Sequence, residues 1–253
     1  MIKRTGTIFT GKILTPGDSN PKTAKGEKLG YITAILHLAP WKSAGGTINV
    51  CPWEDECGEP CLDTAGHGGI DSPTVDGFRN SVHRARVLKT RWLFTDRANF
   101  MACLTEELEA HVRRCNRLGM LPAFRPNGTS DLAWEGLARA GGHWDRWTEM
   151  LTVYDYTKSA DRARTQPYPI TLSRTRNNTA ACIAALREGV NVAAVFSTKK
   201  GQPLPATWEG FEIIDGDEHD LRFRDPRGVV VGLRAKGKAK KITTDGFVIQ
   251  VAA

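Results

Sequence analysis

The sequence predicts an α/β fold with parallel strands, arranged as a complete or partial (β/α) barrel. Three observations support this fold class. Short apolar runs rich in β-favouring residues recur along the chain, helix-like stretches separate most of them, and polar residues follow their ends. About seven such runs with helices between them are typical of βαβ units and favour a barrel.

The N-terminal part of the chain is predicted to differ from the rest. Residues 1–28 are rich in Gly, Lys, Thr and Pro and predict an irregular arm or hairpin. A single domain is predicted over residues 29–253, since the chain is long enough for one substantial core. Residues 30–39 form a dense apolar run and predict a buried first strand. Residues 81–118 predict two helices separated near Asp96.

The later elements follow from the same two periodicities, alternation for strands and a spacing of three or four residues for helices. The predicted strands cover residues 121–125, 151–156, 168–172, 190–196, 211–214 and 228–233, and the predicted helices cover residues 132–150 and 178–188.

Three cysteines within eleven residues, Cys51, Cys57 and Cys61, indicate a metal site on the loop 51–61. Three thiolates suit a [4Fe-4S] cluster, in which the fourth iron stays open to a substrate or cofactor. Zinc is the second candidate, but a structural zinc site takes four ligands, and only His67 lies nearby in the sequence. His67 at the fourth iron would instead give a closed electron-transfer or structural site.

A disulfide with a spare thiol is the third interpretation of these cysteines. The N-terminus shows basic and polar residues and no apolar signal segment, so we expect a reducing compartment, where a metal is favoured. Cys103, Cys115 and Cys182 lie among apolar residues and are expected in the core. No apolar run approaches the roughly 20 residues of a membrane span, which predicts a soluble protein without a membrane partner.

Polar residues follow the predicted strands, at the edge where parallel barrels build their sites. We expect catalytic roles at the open iron for Asn127, Asp131, Lys158 and Arg174. Asp131 is equally well interpreted as a helix cap, and the acidic segment near residue 217 as an exposed turn or a second metal site. Cofactor-binding roles are expected for Ser173, Ser197, Asp215, Asp217 and His219.

The net charge of +7 arises from 35 basic and 28 acidic residues and is concentrated in residues 79–97 and 236–241. This balance permits binding of nucleic acid or an anionic substrate without requiring it. The alternative function is therefore a nucleic-acid-binding or redox-sensing protein with a structural iron–sulfur or zinc site, whose binding to nucleic acid would be salt-sensitive.

A three-cysteine loop after the first strand of a barrel is similar to the radical S-adenosylmethionine enzymes, although five and then three residues separate these cysteines. That resemblance implies an enzyme in which the open iron binds S-adenosylmethionine or a related thioether or amino acid. The implied chemistry is of radical type, with a carbon–sulfur lyase as a variant.

A second set of motifs covers nearly the full chain. The motifs are Leu38-Ala-Pro-Trp41, Asn49-Val-Cys-Pro-Trp53, Cys57 and Cys61 with Thr64-Ala-Gly66, Arg84-Ala-Arg86 with Lys89-Thr90, Asn127-Gly-Thr-Ser-Asp131, Asp215-Gly-Asp217 with Asp220-Leu-Arg222, and Gly232-Leu-Arg-Ala-Lys-Gly237. With them the chain resembles a bacteriophage family called gene product 88-like. This resemblance implies a phage-encoded protein that works in the host cytoplasm.

Overall fold

The structure is a computed structural model, and the chain forms two compact units within it. The first unit consists of Met1–Pro52 and Ile70–Tyr154, and the second consists of Trp53–Gly69 and Asp155–Ala253. The residues that the structure describes are 9–15, 21–54, 61, 66–244 and 246–251.

The first unit contains a four-stranded sheet in the order β1-β2-β3-β4, in which β1 runs antiparallel to β2 and the other pairs are parallel. A 3₁₀ turn at Lys25–Leu29 leads into β2. The elements are β1 (Leu14–Thr15), α1 (Pro21–Ala24), β2 (Tyr31–Leu36), α2 (Ser81–Thr95), α3 (Arg97–Arg117), β3 (Leu121–Arg125), α4 (Trp134–Arg139), α5 (His143–Met150) and β4 (Thr152–Val153).

The predicted pair of helices over residues 81–118 is confirmed. Asp96 separates α2 from α3 because its backbone is not helical (φ −146°, ψ 70°), and its side chain accepts a hydrogen bond from the Asn99 N–H. A side-chain oxygen at this position satisfies one of the N–H groups that a helix start leaves without a partner. The predicted helix over residues 132–150 is instead two helices, α4 and α5, separated at Gly142, whose φ of 68° is left-handed.

The second unit contains a seven-stranded sheet in the order β5-β6-β7-β10-β9-β8, with β11 paired to β7. All pairs are parallel except β8 with β9. Helices α6 and α7 pack on β6 and share its apolar core, which includes Leu172, Cys182 and Phe196. The elements are β5 (Asp155–Thr157), α6 (Ala160–Thr165), β6 (Ile170–Ser173), α7 (Thr179–Arg187), β7 (Val192–Phe196), β8 (Thr207–Trp208), β9 (Phe211–Asp215), β10 (Val230–Arg234) and β11 (Val248–Ile249).

The α/β class with parallel strands is confirmed, but the described strands form two sheets that do not close into the complete, radical-SAM-like barrel that the sequence predicts. The reason lies in the predicted strand 151–156. The Tyr154 N–H donates to the Phe124 carbonyl in the first sheet, and the next N–H, that of Asp155, donates to the Pro169 carbonyl in the second. One apolar run therefore supplies β4 to one sheet and β5 to the other. No described helix is both long enough and apolar enough to span a bilayer.

The segment around β1, which the sequence assigns to the N-terminal arm, is held by two charged side chains. The Glu107 carboxylate accepts the N–H groups of Ile13 and Leu14, each at 2.9 Å. Lys89 on α2 donates to the Ile13 carbonyl, also at 2.9 Å. Ile13 is fully buried and Lys89 is only 4% exposed. The predicted boundary at residue 28 stays a prediction.

Burial of Lys89 should make stability depend on pH. Burial lowers the pKa of Lys89 from 10.5 to about 7, and the Arg86 charge adds to this effect. Between these two values the unfolded chain holds a proton that the folded chain lacks, so the free energy of unfolding should rise as pH increases from about 7 towards 10. Lys89→Met should remove this part of the rise in urea unfolding at pH 6 to 9.5.

Lys28→Met is the matched control, because Lys28 is exposed and its substitution removes the same charge. This control should keep the wild-type slope of stability against pH. An unchanged slope in the Lys89→Met protein would show that Lys89 is not its source.

Candidate metal centre

Cys51 lies in a loop that is closed by backbone hydrogen bonds within the first unit. The Trp41 N–H donates to the Cys51 sulfur at 3.3 Å, and the Val50 N–H donates to the Trp41 carbonyl at 3.3 Å. The Cys51 N–H donates to the Asn49 side-chain oxygen at 2.8 Å. An N–H aimed at sulfur stabilises the thiolate and, in iron–sulfur proteins, tunes the cluster.

Trp41 makes both of its contacts from a left-handed backbone, with φ at +50°. This region is unfavourable for a bulky side chain and is found where the surrounding structure enforces it, often at functional sites. In this conformation the Trp41 N–H points at the Cys51 sulfur and its carbonyl accepts from the Val50 N–H. Trp41 is 42% exposed.

Helix α2 holds the segment that leads into this loop. The Ala39 N–H donates to the Thr90 hydroxyl at 2.8 Å, and the Arg91 side chain donates to the Ala44 carbonyl at 2.9 Å. Ala39, Ala44 and Val87 form a small buried cluster between them. The apolar face and the polar groups of α2 thus fix the chain before it reaches Cys51.

Several basic side chains of α2 that could have bound nucleic acid are engaged in contacts within the first unit. Arg91 binds the Ala44 carbonyl, Lys89 is buried, and Arg84 lies 2.5 Å from the Asp76 carboxylate. The charge of α2 therefore serves contacts inside the first unit at these three positions.

The segment 127–131 follows β3 and lies against the loop that carries Cys51. The Gly128 N–H donates to the Leu36 carbonyl at 2.9 Å, and the Asp131 N–H donates to the Val50 carbonyl at 2.8 Å. Because Val50 directly precedes Cys51, the second bond links this segment to the candidate ligand.

Asn127 holds the same segment in shape through its side chain. Its oxygen accepts from the Ser130 hydroxyl, the Leu132 N–H and the Trp134 indole N–H, at 2.7, 3.0 and 3.0 Å. Asn127 is 5% exposed. This geometry gives Asn127 a positioning role, and its catalytic role stays a prediction. Asp131 does not cap α4, since the residue before that helix is Ala133 and no side chain caps it.

The other cysteines divide into two groups. Cys61 is a thiol with a partly exposed side chain, as is Cys51. Cys57 and the side chain of His67 lie outside the described residues, and the described residues alone contain no group of three metal-ligating side chains. The predicted burial of Cys103, Cys115 and Cys182 is confirmed. Burial raises the pKa of the Cys115 thiol, and that of Cys182 to about 12, which disfavours metal binding there.

In the second unit the predicted residues lie at the ends of several strands. Lys158 follows β5 and is partly buried. The carbonyl of Ser173, the last residue of β6, accepts from the Asn178 side chain at 2.9 Å. The Ser197 N–H donates to the Ile249 carbonyl at 2.9 Å, which holds β11 beside β7. The roles of these residues in ligand binding stay predictions.

The acidic segment after β9 is engaged in ion pairs. Arg234 lies 2.8 Å from Asp215 and 3.4 Å from Asp217, and Lys236 lies 2.8 Å from Asp217. Because these cations balance the two carboxylates, the geometry favours a structural turn over a second metal site. Burial lowers the pKa of His219, and its Nδ1 accepts from the Leu221 N–H at 3.2 Å.

Arg174 lies at the wall of a cavity in the second unit, of about 480 Å³. It donates to the Gly246 carbonyl, and its guanidinium carbon lies 5.9 Å from the centre of the Trp208 ring. Of the residues that line this cavity, the sequence predicted a role for Arg174 alone. Trp208 and Arg176, which also line the cavity, were missed because one lies on a two-residue strand and the other in a polar loop.

Gly128 offers a test of the link between segment 127–131 and Cys51. A Cβ at Gly128 would lie 2.7 Å from Ile35 and 2.8 Å from the Leu36 carbonyl, so the segment must shift. Gly128→Ala should lower the free energy of unfolding by about 1–3 kcal/mol and increase the alkylation rate of Cys51. Gly136→Ala is the control, because nothing lies within 4 Å of a Cβ there. Equal effects of the two changes would contradict the link.

Comparison with known proteins gives one match. A family model described as Gene product 88 matches residues 12–250, a range that contains every strand from β1 to β11 as well as the three clustered cysteines. No curated protein and no solved structure matches the chain. Since the match covers nearly the whole length, the chain belongs to the gene product 88 family.

Proposed function

We propose that this is a phage-encoded iron–sulfur protein of the host cytoplasm, which binds a [4Fe-4S] cluster through Cys51, Cys57 and Cys61. The observation that carries the proposal is the hydrogen bond from the Trp41 N–H to the Cys51 sulfur. A left-handed residue and a closed loop hold this donor at the sulfur, and such N–H···S bonds are among the contacts that tune iron–sulfur clusters.

The chemistry of the donors fits the cluster. Soft thiolates are the usual ligands of iron–sulfur clusters, and the short spacing lets one loop supply all three. The partly exposed side chains of Cys51 and Cys61 also suit a cofactor that must be inserted from outside, whereas the three core cysteines are sealed from it.

When bound, the cluster would supply an open iron for S-adenosylmethionine or a related thioether or amino acid, with radical-type or carbon–sulfur lyase chemistry. The Trp41 N–H stabilises negative charge on the Cys51 sulfur. The Asp131 N–H binds the carbonyl of Val50, the residue before Cys51. Lys158 and Arg174 carry the charge needed to bind a carboxylate, and we propose that role for them.

Metal and sulfide analysis tests the proposal directly. Protein purified without oxygen should be brown and contain about four irons and four sulfides per chain. Replacing Cys51, Cys57 or Cys61 with Ala should remove the iron. Cys103→Ala is the control, because Cys103 is 3% exposed and distant from the motif in sequence, and it should keep the iron. One zinc without sulfide, or equal loss of iron in the control, would refute the assignment.

The fourth coordination position separates an enzyme from a closed site. If it is open, S-adenosylmethionine or a free amino acid added to the reduced protein should change its electron spin resonance spectrum. His67→Ala should then leave the iron content unchanged. A spectrum that ignores added ligands, together with iron loss in His67→Ala, would instead indicate a closed electron-transfer, sensing or structural site.

A further inference from the structure

The cavity in the second unit has the size and position of a small-molecule site. Its volume of about 480 Å³ is within the range of pockets that bind compact ligands. It adjoins the residues that follow β6 and β11, and ligands of open parallel sheets bind beyond the carboxyl ends of the strands. Its walls include Arg174, Arg176, Thr179, Trp208, Ile249 and Gln250.

One wall combines an aromatic ring with a guanidinium group. The Arg174 guanidinium carbon lies 5.9 Å from the Trp208 ring centre. Arg174 also donates to the Gly246 carbonyl, so its side chain is already positioned without a ligand. Aromatic rings and guanidinium planes are the surfaces on which nucleobases stack. This wall therefore suits a flat heteroaromatic ring.

The adjoining side of the cavity favours negative charge. Arg176 is exposed, and Thr179 is the first residue of the nine-residue helix α7. The Asn178 side chain does not cap this helix, because it accepts from the Thr175 N–H and donates to the Ser173 carbonyl. The uncapped helix start adds a partial positive charge to that of the arginines.

The described lining of the cavity carries more positive than negative side chains. Among these lining residues, Arg174 and Arg176 are basic and Glu209 is acidic. Gln250 donates to the Ile242 and Thr244 carbonyls and so connects the cavity to the segment that follows the exposed lysines 238, 240 and 241. The net positive lining, combined with a flat wall, selects an anion that carries a ring.

We propose that this cavity binds a nucleoside 5′-monophosphate, with the base against Trp208 and Arg174 and the phosphate on Arg176 and the start of α7. The inference does not depend on the iron–sulfur cluster, since no proposed cysteine ligand is among the cavity-lining residues that the structure describes. For Arg174 it replaces the carboxylate-binding role proposed above. The same chemical group occurs as a free nucleotide and at the 5′ end of a strand, and the two sources are distinguished below.

Calorimetric titration of the full chain tests the proposal, with each of the four ribonucleoside 5′-monophosphates in turn. At least one should bind saturably, and at least tenfold more tightly than its nucleoside or inorganic phosphate. Arg176→Gln should weaken binding about tenfold or more through loss of a charged hydrogen bond. Trp208→Leu should weaken the nucleotide but not phosphate alone.

Arg187→Gln is the matched control, because Arg187 is an exposed residue at the other end of α7 and does not line the cavity. It should bind the nucleotide as the wild type does, with thermal unfolding confirming that each variant folds. A 5′-phosphorylated oligonucleotide that binds more tightly than the mononucleotide, with the same Arg176 dependence, places the group at a strand end. Failure of all four mononucleotides, or an equal loss in Arg187→Gln, would overturn the proposal.

Discussion

The hydrogen bond from the Asp131 N–H to the Val50 carbonyl is the contact on which the candidate site of the first unit depends. It joins two loops that follow the parallel strands β2 and β3, and it lies one residue from Cys51. Thr90 and Arg91 of helix α2 hold the loop after β2 through hydrogen bonds. The Asn127 side chain holds the loop after β3. The position of the Cys51 sulfur therefore results from backbone bonds between segments that are distant in sequence.

Sequence periodicity predicted the elements with strong local signals. Residues 121–125 form a strand with the predicted bounds, and Asp96 separates two helices as expected. Periodicity could not show that the run 151–156 contributes to two sheets, because alternation of apolar residues is the same whichever strand lies alongside. The partners of Tyr154 and Asp155 are carbonyls of distant residues, and they are fixed only by tertiary packing.

Residue type was a weaker guide to the candidate site. Asn127 resembles a catalytic amide in the sequence, but its oxygen accepts three hydrogen bonds from residues that follow it closely in the chain. Asp215 and Asp217 resemble metal ligands, but Arg234 pairs with both of them and Lys236 pairs with Asp217. A sequence gives the chemical capacity of each side chain, whereas its partners decide whether that capacity is already used inside the protein.

The binding of β1 by Glu107 and Lys89 limits which sequences can occupy that position. Both side chains contact main-chain groups of Ile13 and Leu14, so they recognise the peptide bond and not the residue type. Any apolar residue of similar volume can supply the same N–H and carbonyl, apart from proline, which lacks the N–H. Substitution at position 89 or 107 would therefore remove the contacts that hold β1, whereas residues 13 and 14 can be exchanged among aliphatic types.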